Sequence, residues 1–411
     1  MTRRVARAAV LLLLSTLAYG AHGGGPLVVQ ADGTPFVWPT TSAIGYTTDD
    51  GPLSATVGEA AARSRIAAMF GVWQNVATAS ISFAREGFIE PVGAFNGGDV
   101  NNVQEFDAVE GDCANGNQSP ITYDANGQIF VDLGIDETSV IGFAGPCSVN
   151  IAQGLILSGE AVMNGLFQDG NDANVPDLTV GEFDATFVHE FGHFAGLDHS
   201  QINVDCGFVN CGSAALAGLP TMFPFLVSDT QISPSTDDIA WLSKLYPASG
   251  GSGFDATHGH LTGTIYFSDG ESQVQGVNVI ARPVDTGGTP EDESVTKGVS
   301  NLSGFRFKAR HGNPILADVP GLNPSFSGSV NPGFIGSFEI PVPAGDYVVE
   351  FESVDPAFDL DSGIGDILFP IPIPGLVPAP IPVTVAAGAT TSVGDVVLVG
   401  TPPRFDQFEG P

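Results

Sequence analysis

The stretch His189-Glu190-Phe191-Gly192-His193-Phe194-Ala195-Gly196-Leu197-Asp198-His199-Ser200 decides the reading of this chain. Histidines four residues apart on one helix share a face, so both imidazoles reach one ion. Glu190 follows the first of them, where its carboxylate approaches a water on that ion without joining the ligands. Gly196 lets the backbone leave the helix sharply through a positive φ, and the turned chain returns His199 as a third ligand. Three neutral ligands leave zinc an open fourth position, which marks a catalytic site. His189, His193 and His199 are the only histidines between residues 23 and 257, a clustering that core packing explains poorly. An HExxH pattern alone arises by chance on amphipathic helices; the placed glycine and third histidine make it specific.

Working outward, Thr179 followed by Glu182 forms a capping box that starts this helix, and Phe183, Phe187, Phe191 and Phe194 carry it to Gly196. Apolar residues at helical spacing (Ile66, Met69, Phe70, Trp73, Val76) predict an earlier amphipathic helix over residues 60–77. A third helix begins at the cap Ser235-Thr236-Asp237-Asp238 and runs to Tyr246. Strands are expected at Ser80–Phe83, Gln128–Leu133, Val140–Phe143 and Ala161–Met163, while the Gly- and Asn-rich residues 86–120 give no clear pattern. Pro247-Ala248-Ser249-Gly250-Gly251-Ser252-Gly253 reads as a flexible linker. Beyond it come short alternating runs at 262–267, 276–281, 336–340 and 345–351, separated by Gly and Pro turns, which predict a small all-β sandwich. The expected division is a signal segment at 1–20, a short N-terminal segment at 21–35, an α+β domain at 36–247, a linker at 248–256, a β-sandwich at 257–400 and a tail at 401–411.

The stretch 189–199 resembles the metzincin zinc endopeptidases, and Asp198-His199-Ser200 is most similar to their matrixin branch, the matrix metalloprotease type. Leu219-Pro220-Thr221-Met222-Phe223-Pro224 is similar to the Met-turn that underlies the zinc in that clan. Ser235 to Tyr246 resembles the C-terminal helix of matrixin catalytic domains, and Met69-Phe70 with Trp73-Gln74-Asn75-Val76 their first helix. The likeness covers about residues 36–247 and is sparse between 84 and 140. It implies an α+β zincin fold with a mixed, twisted sheet and three main helices, and zinc on His189, His193 and His199. It also implies Glu190 as the catalytic general base and Met222 beneath the metal. Substrate would lie against an edge strand around Ile141, Gly142 and Phe143, with Pro224 and Phe225 lining a primed-side pocket. The 199–222 interval is longer than in typical matrixins and holds Cys206 and Cys211; the histidine-bound second zinc and the cysteine-switch propeptide have no counterpart. Asp32 could be the zinc-blocking aspartate of a short propeptide, but it reads first as an ordinary solvated side chain. The region after the linker, through Val342-Pro343-Ala344-Gly345-Asp346-Tyr347-Val348-Val349, resembles carboxypeptidase regulatory-like sandwiches.

Composition limits the partners. Only 14% of the 411 residues are charged, and 13 Lys+Arg face 46 Asp+Glu for a formal charge of −33. Such a surface repels nucleic acid and anionic membranes. Arg3, Arg4 and Arg7 before an apolar run to Leu17 form a secretory signal, and its removal would raise the charge to −36. The apolar run 364–387 is broken by six prolines and no membrane anchor is expected. Cys113, Cys147, Cys206 and Cys211 suit an oxidising compartment. Three pairings exist, and loop closure favours the local one, Cys113–Cys147 with Cys206–Cys211. Calcium is a second expected ion, from the acidic loops 124–127 and 169–172 and from the resemblance; Asx-turns account for those loops equally. Phe305–Arg310 is the one dense basic run of the mature chain, read as a charged strand edge, and His258-Gly259-His260 as a flexible segment after the linker.

The expectation is therefore a secreted zinc endopeptidase acting on protein or peptide substrates, in which Glu190 moves the proton. The alternative is a surface adhesive protein with an inactive zincin scaffold, against which the retained Glu190 speaks. A third possibility is an enzyme with one dedicated protein substrate.

Overall fold

A computed structural model describes residues 24–30, 33–200, 202, 203, 206, 211–251, 253–274, 277–288, 292–304, 336–353 and 379–400. The signal segment, Asp32, residues 305–335 with the basic run, and the C-terminal tail lie outside the described residues. The chain is α+β. Its first part holds strands β1 (Ile44–Thr48), β2 (Phe83–Phe88), β3 (Pro120–Asp124), β4 (Gly142–Asn150) and β5 (Leu155–Asn164). The helices there are α1 (Glu59–Gln74), α2 (Val103–Ala114), α3 (Gln128–Leu133), α4 (Val180–Phe194), α5 (Ser213–Ala217) and α6 (Thr236–Leu245).

These strands form one mixed sheet in the order β2-β1-β3-β5-β4. Four run parallel, and β4 lies antiparallel to β5 at the edge. Because side chains alternate along a strand, β5 serves two layers. Ala161 and Met163 join the core under α1 and α4, while Val162 packs with Phe106, Val109 and Phe130 of α2 and α3. Helix α1 buries the stripe Ala62, Ile66, Met69, Phe70 and Trp73, and Phe70 stacks on Phe191 of α4 with centroids 3.8 Å apart. Helix α4 starts at the Thr179–Glu182 capping box and is buried from Ala185 to Phe194.

Three local readings need correction. Gln128–Leu133 is helix α3, not a strand. The Asp124 carboxylate accepts from Phe130 N at 2.9 Å, Asn126 Oδ1 accepts from Gln128 N at 3.1 Å, and Gly127 turns at φ 73°, so side-chain acceptors start a helical turn before strand pairing begins. The strand expected at Ser80–Phe83 begins only at Phe83. Residues 86–120 contain α2, capped by Asn102, which accepts from Glu105 N at 3.1 Å.

After residue 253 come the short helix α7 (Phe254–Thr257), β6 (His258–Tyr266), β7 (Val277–Pro283), α8 (Glu293–Thr296), β8 (Val299–Leu302), β9 (Ser337–Pro343), β10 (Gly345–Ser353), β11 (Ile381–Val385) and β12 (Thr390–Val397). They form two sheets, β11-β10-β7-β8 and β12-β6-β9. The segment His258-Gly259-His260 is thus no flexible connection but the start of β6, paired with β9 on one side and β12 on the other. Leu261, Ile265, Val279, Ile340 and Val349 from both sheets belong to the same buried cluster as the α1–α4 core. The apolar interior therefore runs on past the glycine-rich segment at 250–253.

The disulfides are Cys113–Cys147, tying α2 to the edge strand, and Cys206–Cys211. Disulfides persist in oxidising compartments. Among the described residues no helix is long and apolar enough to cross a membrane.

Candidate metal centre

Helix α4 presents His189 and His193 one turn apart. Gly196, at φ 90°, breaks the helix and returns the chain, so His199 arrives opposite them. The three Nε2 atoms form a near-equilateral triangle: 3.1 Å for His189–His193, 3.1 Å for His189–His199 and 3.0 Å for His193–His199. All three rings are buried. Among the described residues this is the one cluster whose donor atoms converge as metal ligands do.

The triangle is not a hydrogen-bond network. His189 Nδ1 lies 2.7 Å from Thr221 O and His193 Nδ1 2.8 Å from Leu197 O. A carbonyl only accepts, so both Nδ1 atoms carry the proton and both Nε2 atoms present lone pairs. Burial holds these imidazoles neutral. It pushes His189 down to about 4 and His193 well below its usual range, the latter helped by His189 nearby. The lone pairs of His189 and His193 facing each other at 3.1 Å repel, and a cation between them relieves that contact. Zinc–nitrogen bonds of about 2.0–2.1 Å in tetrahedral geometry put ligand nitrogens ~3.3 Å apart, close to the spacing here. The donor set fits zinc, with backbone carbonyls orienting two of the rings.

Glu190 is wholly buried, and among the described residues neither carboxylate oxygen has a hydrogen-bond partner. Burial drives its pKa well above the usual carboxylate range. Its Cγ lies against the backbone of Gly142, where an added Cβ would sit 3.1 Å away. The edge strand thus passes beside the carboxylate. Of the other expected edge-strand residues, Ile141 packs in the α1–α4 core, but the Phe143 ring turns to the opposite face against Phe106 and Phe130. The structure therefore brings Gly142 to the site and takes the Phe143 side chain away, a consequence of strand alternation.

Met222 lies directly under α4. A Cβ on Gly192 would fall 2.2 Å from its Sδ. The backbone here has no regular structure and is held by buried Asp238, which accepts from Met222 N at 3.0 Å, Thr221 N at 2.8 Å and Ser235 N at 2.6 Å. Met222 O in turn accepts from Ser200 N at 2.8 Å, coupling this turn to His199. A small pocket beside His189 is lined by Ala185, Thr186, Thr221, Phe223, Leu226 and Gln231. The expected lining pair Pro224 and Phe225 is not among the residues around this pocket, and Phe225 packs against Cys206, Leu219, Phe223 and Leu302.

Several supporting residues escaped the sequence reading. The N-terminal segment pairs with the histidine turn: Gly24 N donates to His199 O (2.6 Å), Leu27 N to Gly196 O (2.7 Å) and Asp198 N to Gly25 O (2.9 Å). Gln231 holds the 220–228 loop, accepting from Val227 N at 2.7 Å and donating to Phe225 O at 3.0 Å. Asp238 read as a helix cap, which it is, and nothing local announced its second task. The carboxylates of the acidic loops are spent on turns, Asp124 on Phe130 N and Asp169 on Asn171 N at 2.7 Å. Comparison with protein-family models and with curated proteins finds no match for the chain.

Proposed function

We propose that the chain is a secreted zinc endopeptidase of the metzincin, matrixin-like type, with residues 36–247 as its catalytic domain. Residues 257–400 are then a carboxypeptidase regulatory-like sandwich. The observation that carries the reading is the triangle of buried Nε2 atoms with an orphaned carboxylate on the adjacent residue. A buried carboxylate without partners is costly, and general-base work is a reason to keep one.

His189, His193 and His199 hold the ion, which when bound supplies Lewis acidity and lowers the pKa of water towards ~7. Glu190 takes the proton of the attacking water at its carboxylate and hands it to the leaving amine. The open edge of β4 at Gly142 offers backbone groups to an extended peptide.

Purified protein should contain about one zinc and cleave denatured protein or a peptide library, and chelation should stop it. Glu190→Gln should keep the zinc and lose hydrolysis by at least ~100-fold, the scale of a general base. A zinc-loaded wild type without peptidase activity, or an active Glu190→Gln, would overturn the proposal.

A further inference from the structure

We infer that the C-terminal β region positions the metal centre, with strand β8 serving as a buttress for the two irregular segments that carry His199 and Met222. The metal-affinity part of this rests on the zinc reading above; the mechanical part does not.

The contacts converge on a four-residue strand. Ser300 N donates to Asp237 Oδ1 at 2.8 Å, and Trp241 Nε1 donates to Ser300 O at 3.0 Å. The Asp237 carboxyl also lies near the hydroxyl of Ser200, the residue after His199. One buried side chain thus spans from β8 to the histidine turn. Two residues along, Leu302 packs into a cluster with Cys206, Leu219 and Phe223, and Phe223 follows Met222. Strand β8 therefore reaches the histidine turn through Asp237 at Ser300, and packs on the Met222 segment at Leu302.

Neither segment is regular structure, so neither is stiffened by its own hydrogen-bond ladder. Their rigidity must come from what they pack on. Helix α6 supplies Asp238 on the near side, and β8 closes the far side. A further layer of polar contacts clamps the same junction. Lys244 of α6 reaches Glu339 of β9 at 2.7 Å, and His260 of β6 reaches the same carboxylate at 2.7 Å. Arg282 of β7 donates to Asn203 at 3.1 Å. The aliphatic and backbone contacts of β8 are buried, with Leu302 and Ser300 at 1% and 0% exposure, so they are unaffected by salt that would screen the outer ion pairs. Ser300 and Leu302 are positioning residues: they act on the metal through Asp237, Ser200 and Phe223.

The test uses the full chain with Leu302→Ala, a rescue variant Leu302→Met, and Val349→Ala as control. Val349 is equally buried but lies in β10, separated from β8 by β7. Hydrogen exchange on metal-free protein reads the backbone of 197–203 and 219–223. Leu302→Ala should speed exchange there at least tenfold, Leu302→Met should restore it, and Val349→Ala should leave it unchanged at a matched loss of melting temperature. The cobalt-substituted protein should show a shifted visible spectrum and faster metal release in Leu302→Ala alone. Should Leu302→Ala not fold, Trp241→Phe, which removes the indole donor to Ser300 O together with part of the buried ring, takes its place with the same expectations. Equal exchange in the β8 variant and the β10 control would overturn the buttress. A wild type that binds no cobalt would overturn the zinc reading instead, and the exchange data would still decide the inference.

Discussion

Alanine at Gly192 and alanine at Gly71 should move stability in opposite directions, although both glycines lie inside helices. Glycine in a helix interior is about 1 kcal/mol less favourable than alanine, so alanine should stabilise wherever a methyl fits. At Gly71 in α1 an added Cβ meets nothing within 4 Å, and a gain of ~0.5–1 kcal/mol follows. At Gly192 it would meet Met222 Sδ at 2.2 Å and Trp73 Cζ2 at 2.9 Å, against ordinary contacts of 3.4–4 Å. The thioether would have to retreat by more than ~1 Å, within a well-packed core where overpacking costs roughly 1–3 kcal/mol. Neither neighbour can yield easily. Trp73 Nε1 is anchored to Val188 O at 2.8 Å, and Met222 N to Asp238 at 3.0 Å. The helix gain offsets part of this, leaving a net loss of up to about 2 kcal/mol and a gap of ~1–3 kcal/mol between the two variants. Urea unfolding of metal-free protein measures that gap directly. Displacing Met222 also shifts Thr221, whose carbonyl orients His189, so if the three histidines hold zinc as proposed, its affinity by chelator competition should fall in Gly192→Ala and hold in Gly71→Ala. If both substitutions stabilise the protein alike, the close packing of Met222 under α4 is wrong.

The two disulfides should differ in weight. Closing the 34-residue separation of Cys113–Cys147 corresponds to about 3–4 kcal/mol and the 5-residue separation of Cys206–Cys211 to about 2 kcal/mol by loop entropy, so paired serine variants should rank in that order in urea. Acid should stabilise this fold over much of its range. Burial pushes Asp49 up to about 7 and Asp237 up to about 8, so the native state keeps protons that the unfolded chain releases above about pH 4. The unfolded state then binds fewer protons, and stability falls as pH rises from about 4 to about 8 and levels off beyond. Melting temperatures across pH 4–9 check the sign, and Asp49→Asn should flatten the slope; a melting temperature rising over that interval would contradict it.

What the sequence made legible is what neighbouring residues decide among themselves. The histidine spacing, the break at Gly196 and the box at Thr179 and Glu182 are each settled within a few residues. The structure places them as expected, with three Nε2 atoms together. The run Gln128–Leu133 shows the limit of that kind of reasoning. Its apolar residues suit a strand by composition, but Asp124 and Asn126 upstream supply acceptors for amides that a strand would leave free. The signal was present in the preceding turn and was outweighed by side-chain type. Helix α2 was hidden differently. Its buried Phe106, Val109 and Cys113 keep helical spacing behind the Asn102 cap, within a stretch whose glycine and asparagine content suggests loop.

The parts that stayed illegible are those where one residue answers to several distant segments. Asp238 satisfies its own helix and also the backbone of Met222, 16 positions away; the first role fully accounts for an acid in that place, so the second leaves no trace in the pattern. The same holds for Ser300 and Leu302, which carry no motif and sit against the irregular segments at 199 and 222, and for Gly24 to Leu27, which lie in the short N-terminal segment without a motif and pair with the histidine turn. A metal ligand on an irregular segment needs such outside support, because its orientation is fixed only as tightly as the backbone beneath it. His189 and His193 inherit their geometry from a helix and could be placed from spacing alone. His199 and Met222 have no such scaffold, so their precision must come from the N-terminal segment, from α6 and from β8. Those residues are where substitutions far from the chemistry should loosen the metal.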